Sequence, residues 1–206
     1  MTKIKICGLT RKEDIDAVNA ARPDYIGFVF AESKRRIDGD RAYQLKAMLD
    51  PSIKAVGIFV NEGIGNIIRL CDMEVIDLIQ LHGDEDAGYV EELRKYTAKK
   101  VIKAFRVRTP EDIARAAAFP GDYVLLDAYH EGKYGGVGRP FDWSMISGID
   151  RQYFLAGGID ENNVVQAVTQ FRPYCVDVSS GAETGGFKDP RKIRSIIEKV
   201  RQLRDN

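Results

Sequence analysis

At 206 residues the chain is long enough for one substantial domain or two small ones. Its 31 basic residues balance 31 acidic ones, so no net charge draws it to nucleic acid or an anionic membrane, and any anionic ligand must be held by local groups. No apolar run approaches the roughly 20 residues that cross a bilayer. The opening Lys3-Ile4-Lys5-Ile6-Cys7 turns to strand pattern too early for a signal peptide.

That opening run alternates, which puts Ile4 and Ile6 on one face and Lys3, Lys5 and Cys7 on the other. Strand-like runs recur at Tyr25 to Phe30, Ala55 to Val60, Val75 to Leu81, Lys100 to Phe105, Tyr123 to Asp127, Tyr153 to Ala156 and Cys175 to Ser179. Between them, the segments Arg11 to Ala20, Arg41 to Leu49, Asp84 to Tyr96, Pro110 to Ala117, Asn162 to Gln170 and Arg191 to Leu203 repeat apolar residues at three and four positions. Eight strands and eight helices are expected, with the faintest helical signal after the third and sixth strands.

Such alternation predicts parallel strands joined by crossover helices. Eight near-equal units of roughly 25 residues fit an α/β fold of the (β/α)8 TIM barrel type, at the small end of its usual size. A doubly wound open sheet is the runner-up, and it would normally carry a Gly-x-Gly-x-x-Gly turn after the first strand. Here that turn reads Cys7-Gly8-Leu9-Thr10. No linker or low-complexity tract divides residues 1–206, so one barrel domain is expected.

In a barrel the active site lies at the carboxyl ends of the strands. Those ends carry Cys7, the Ser33 to Arg36 loop, Asn61, Gln80 and His82, Arg106, Asp127, Gly157 and Gly158, and Asp177 to Glu183. Lys5 and Cys7 should point inward, with the isoleucines turned out to the helices. A thiol at this mouth is placed as a base or nucleophile, but free cysteine also serves as a small buried packing residue, which is the reading for Cys71 and Cys175. Three cysteines without Cys-x-x-Cys spacing indicate neither a disulfide framework nor a zinc site, and a reducing cytoplasm is the natural setting. Asp127 closes an apolar run and precedes a glycine-rich segment with Gly132, Gly135, Gly136 and Gly138, so it is either a turn cap or a catalytic carboxyl.

Two later loops have the composition of phosphate cradles: Gly157-Gly158 after the seventh strand and Ser180-Gly181 after the eighth. Tight-turn chemistry is their alternative. The guanidiniums of Ser33-Lys34-Arg35-Arg36 suit a carboxylate, unless the run is simply solvated. His82 and His130 have no partner at ligand spacing, so no metal site is expected.

Together these residues resemble the phosphoribosylanthranilate isomerase family nearly end to end. The resemblance rests on Lys5-Ile6-Cys7-Gly8-Leu9-Thr10, Gly27-Phe28-Val29-Phe30 with Ser33-Lys34-Arg35, Val56-Gly57-Ile58-Phe59-Val60-Asn61, Gln80-Leu81-His82-Gly83, Leu126-Asp127-Ala128, Gly135-Gly136-Val137-Gly138 with Phe141-Asp142-Trp143, Ala156-Gly157-Gly158, and Val176-Asp177-Val178-Ser179-Ser180-Gly181-Ala182-Glu183. It implies a (β/α)8 barrel that performs an Amadori rearrangement in tryptophan biosynthesis, with Asp127 as general acid and Cys7 as general base. It further implies Arg35 against the anthranilate, His82 and Asp177 beside the substrate, and Gly157, Gly158, Ser180 and Gly181 on the phosphate.

No redox or carbon–carbon cleavage step is implied, so no cofactor is expected. The partner is a small phosphorylated substrate, with no nucleic acid or membrane, and the assembly is a monomer or homodimer. An acid at neutral pH calls for a carboxyl raised by burial, and a thiol base for nearby positive charge that lowers it, of which Lys5 is a candidate source. Arg139-Pro140 and the Ile159-Asp160-Glu161-Asn162-Asn163 turn depart from the family pattern. Two rivals are a related barrel isomerase of histidine biosynthesis or a dual-substrate version, which typically carries a carboxylate where Cys7 stands, and a non-catalytic sugar-phosphate-binding barrel.

Overall fold

The computed structural model describes residues 1–128, 143–146 and 149–203. The parallel strands are β1 (Lys3–Cys7), β2 (Tyr25–Val29), β3 (Lys54–Phe59), β4 (Leu78–Leu81), β5 (Lys100–Val107), β6 (Tyr123–Ala128), β7 (Tyr153–Leu155) and β8 (Cys175–Val178). They pair in chain order, and β8 returns to β1 with Asp177 opposite Lys5, which closes a barrel. The open-sheet alternative is thereby excluded.

The helices are α1 (Lys12–Ala21), α2 (Gly39–Ala47), α3 (Ile64–Asp72), α4 (Ala87–Leu93), α5 (Pro110–Ala118), α6 (Val164–Phe171) and α7 (Pro190–Gln202). Their starts follow from short polar side chains that accept the first free N–H groups: Asp38 from Arg41, Asp86 from Tyr89 and Asp189 from Arg191. Pro110 and Pro190 occupy first-turn positions, where their missing N–H costs nothing. Eight helices were expected, and the described residues hold seven. Between β6 and β7 they contain only a 3-10 turn, Trp143–Met145, where the helical periodicity is faint.

The faint signal after β3, by contrast, is a true helix, α3. Its end explains why β4 begins at Leu78 and not at the expected Val75. Glu74 takes a left-handed φ of 55°, and the Val75 N–H turns back to the Leu70 carbonyl at 3.1 Å, so Val75 and Ile76 close the helix before the strand starts.

Strand parity sorts the apolar residues into two layers. Ile4, Ile6, Ile26, Phe28, Val176 and Val178 pack outward beneath the helices, while Cys7, Tyr25, Val56, Ile58, Leu125, Phe154 and Cys175 fill the interior. An aromatic floor seals the amino-terminal end of the barrel. Tyr123 and Tyr174 stack at 5.0 Å, Phe154 meets Tyr25, Tyr123 and Tyr174, and the Lys3 ammonium lies over two of the tyrosines. With that end plugged, the polar interior residues gather at the other.

Candidate active site

A cavity of about 290 Å³ opens at the carboxyl ends of the strands. Cys7 from β1 and Asp127 from β6 both line it, with Arg35, His82, Asp177, Gly157, Gly158 and Ser180. Both Cys7 and Asp127 are buried. Of the expected site residues only Gly181 lies apart, in an adjoining hollow that Gly158 and Ser180 share. Its role is close packing: a side chain on Gly181 would collide with the Ile159 carbonyl oxygen, so glycine lets the two final loops touch. Gly157 and Gly158 have φ values of 82° and 74°, a consecutive left-handed pair that turns the backbone at the rim.

Asn61 and Arg106, also at strand ends, do not line the cavity. The Asn61 side chain accepts from the Asp84 N–H at 2.8 Å, and Arg106 pairs with the Asp84 carboxylate at 3.2 Å. They shape the loop that follows β4. The buried Glu85 carboxylate ties the same loop down, accepting from the N–H groups of Asn61 and Gly83 and from the Lys103 ammonium. His130 and the segment from Gly132 to Gly138 lie outside the described residues.

Lys5 organises the interior. Its fully buried ammonium donates to Asp177 Oδ2 at 2.7 Å and to Gln80 Oε1 at 2.8 Å. Burial disfavours that charge, but the Asp177 carboxylate outweighs it, and the lysine is held above its ordinary range. From Gln80 the chain of bonds continues to His82 Nδ1 at 2.8 Å, and His82 Nε2 lies 3.1 Å from Asp127 Oδ2. Asp127 Oδ1 accepts from the Ala128 N–H at 2.8 Å. The buried Asp177 Oδ1 has no hydrogen-bond partner among the described residues.

The expectation that positive charge lowers the thiol holds only in part. Burial pushes Cys7 up, the Lys5 ammonium pulls it down, Asp177 pushes it up and Lys188 pulls it down; the outcome is a thiol above its ordinary value. The cations are in place, but for a thiol this deeply buried desolvation of the thiolate is the larger effect.

Sequence reasoning missed the partners of Arg35. Its Nε and Nη2 donate to the two oxygens of Glu183 at 2.6 and 3.0 Å, and the buried Lys188 ammonium reaches the same carboxylate at 2.8 Å. Burial opposes ionisation of Glu183, but Arg35 and Lys188 bring its carboxyl down to about 2. Burial also holds Lys188 below the usual lysine range. Glu183 stands in the last quoted motif without an assigned task. Lys188 comes within reach only because a two-stranded turn, Glu183–Thr184 against Phe187–Lys188, doubles the chain back over Gly185 and Gly186.

Fold and site together define an enzyme of the (β/α)8 barrel class, with a thiol, a carboxyl and glycine-rich loops lining one mouth. The chain belongs to the N-(5'phosphoribosyl)anthranilate (PRA) isomerase family, whose model matches residues 4–199. It is 47% identical over 203 residues to the N-(5'-phosphoribosyl)anthranilate isomerase of Endomicrobium trichonymphae, covering 98% of this chain and all of that one. Among solved structures it resembles phosphoribosyl anthranilate isomerase from Thermotoga maritima, with a TM-score of 0.87 at 35% identity over 98% of this chain and all of the other. A structure of a phosphoribosyl anthranilate isomerase in complex with reduced 1-(o-carboxyphenylamino)-1-deoxyribulose 5-phosphate aligns with a TM-score of 0.84 at 34% identity over the same shares.

Proposed function

We propose that the chain isomerises N-(5'-phosphoribosyl)anthranilate to 1-(2-carboxyphenylamino)-1-deoxyribulose 5-phosphate in tryptophan biosynthesis, with Asp127 as general acid and Cys7 as general base. The observation that carries the assignment is that a thiol from β1 and a carboxyl from β6 line one small cavity. Asp127 gives a proton to the ribose ring oxygen and the ring opens to a Schiff base. Cys7 takes the C2' proton, and the resulting enolamine tautomerises to the ketone.

Arg35 reads the anthranilate carboxylate, and Glu183, holding its Nε and Nη2, aims the guanidinium. Asp177, which lines the cavity and accepts from Lys5, lies beside the substrate. His82 bears on the substrate through Asp127. The loops at Gly157, Gly158, Ser180 and Gly181 hold the phosphate, Gly181 by letting them meet. The three free cysteines suit work in the reducing cytoplasm.

Cys7→Ser and Asp127→Asn are each expected to lower turnover by roughly 10² or more, with folding unchanged by circular dichroism. Full activity in either variant removes that residue from the mechanism. Freshly made phosphoribosylanthranilate should lose its fluorescence rapidly when the purified chain is added. Turnover of only the histidine-pathway aminoaldose would favour the first rival, and an unchanged signal the binding-protein rival.

A further inference from the structure

Lysine is a donor only, so the Gln80 atom 2.8 Å from the Lys5 ammonium is its carbonyl oxygen. That contact settles which way the amide faces, and its NH2 group is therefore the end turned to His82 Nδ1 at 2.8 Å. A nitrogen that receives an N–H carries no proton of its own. The imidazole proton then sits on Nε2, the nitrogen 3.1 Å from Asp127 Oδ2. Every hydrogen in the line points the same way, from β1 through β4 to β6.

We propose that Gln80 is a positioning residue which, held by Lys5, locks His82 as the Nε2–H tautomer and so provides Asp127 with a fixed donor on one carboxylate oxygen. The other oxygen accepts from the Ala128 N–H, so both are oriented. Once Asp127 has given up its proton, the His82 N–H stabilises the carboxylate that remains. With the other tautomer, Nε2 would present a lone pair to that carboxylate. Lys5 thus acts at both ends of the reaction, through space on the Cys7 thiol and through Gln80 and His82 on the acid. Gln80 is buried on β4 and lines the same cavity as His82, just past the strand's end, so it has the burial and direction the task needs.

This inference rests on the reading of Asp127 as the acid only for its effect on rate. Its direct test is the ring nitrogen spectrum of the ligand-free protein at neutral pH, labelled with 15N-histidine. The chain has two histidines, and His130→Gln leaves one set of imidazole signals. The Nε2–H pattern is expected for His82. An Nδ1–H pattern, or averaging between tautomers, would overturn the lock.

Gln80→Glu keeps the shape and the contact to Lys5 but turns an acceptor to His82 Nδ1, so the proton should move to Nδ1. Gln80→Met removes both contacts, so the tautomers should interconvert. Turnover in Gln80→Met should fall roughly tenfold to 10²-fold with little change in KM, the scale of a slightly misplaced reacting group. An unaltered His82 spectrum in both variants would refute the proposal; if Gln80→Met fails to fold, Gln80→Glu decides the question alone. A wild-type Nε2–H spectrum in a chain that turns over neither aminoaldose would sustain the lock while removing the catalytic reading.

Discussion

The energetics of single residues in this site are set by what surrounds them more than by what they are. Cys7 has two cations within electrostatic reach and still lies above the ordinary thiol range, because burial of the thiolate, with the Asp177 carboxylate beside it, outweighs what Lys5 and Lys188 return. Glu183 shows the opposite balance. It is half-buried, but a bidentate guanidinium and an ammonium overcome the desolvation and bring it to about 2. A carboxyl lowered on folding stabilises the native state above its unfolded value of about 4.3, and that stabilisation disappears as pH falls toward 2. Glu183→Gln should therefore be less stable than wild type near neutrality, with the gap closing between about pH 4.5 and 2. Urea titrations across that range would show it, and a gap that does not change with pH would mean the ion pair contributes nothing.

At the scale of elements, each strand delivers its chemistry by parity and each following loop by its turn. The final two loops come close where Gly181 passes the Ile159 carbonyl and Asp160. Gly181→Ala should push them apart, weakening binding of a phosphorylated substrate more than it slows chemistry, at a stability cost of about 1–3 kcal/mol typical of overpacking. Steady-state kinetics would register a raised KM with kcat largely kept. An unchanged KM would indicate that the loops do not act together on the phosphate. The Ile159 to Asn163 departure from the family pattern has a local solution. Asp160 accepts from the N–H groups of Asn162 and Asn163, and the Asn163 side chain spans to the Gly158 carbonyl at 2.8 Å, which ties the second glycine to the start of α6.

For the whole molecule the decisive event is closure. The Asp177–Lys5 contact exists only because β8 comes back to β1, joining residues 172 positions apart in sequence. α7 covers that seam, packing on α1, α6 and β1, with Ile193, Ile196 and Ile197 buried beneath it. Ile196→Ala should cost about 2–5 kcal/mol by leaving a hole at the junction, and because Ile196 does not line the cavity, catalysis should be spared in the molecules that remain folded. A lowered urea midpoint with undiminished specific activity is the expected result, and an unshifted midpoint would show that the seam draws its stability from elsewhere.

Much of this was legible in the chain. Alternation in Lys3 to Cys7 is a steric property of extended backbone, and eight such runs divided by helical periodicity leave few other folds, so the placing of Cys7, His82, Asp127 and Asp177 at one mouth follows from local pattern. Burial, pairing and direction are different in kind, because they are sums over neighbours from distant segments. The grip of Glu183 on Arg35, the reach of Lys188, the net rise of the Cys7 thiol and the orientation of the Gln80 amide were decided only when the ring of strands closed and set the distances between them.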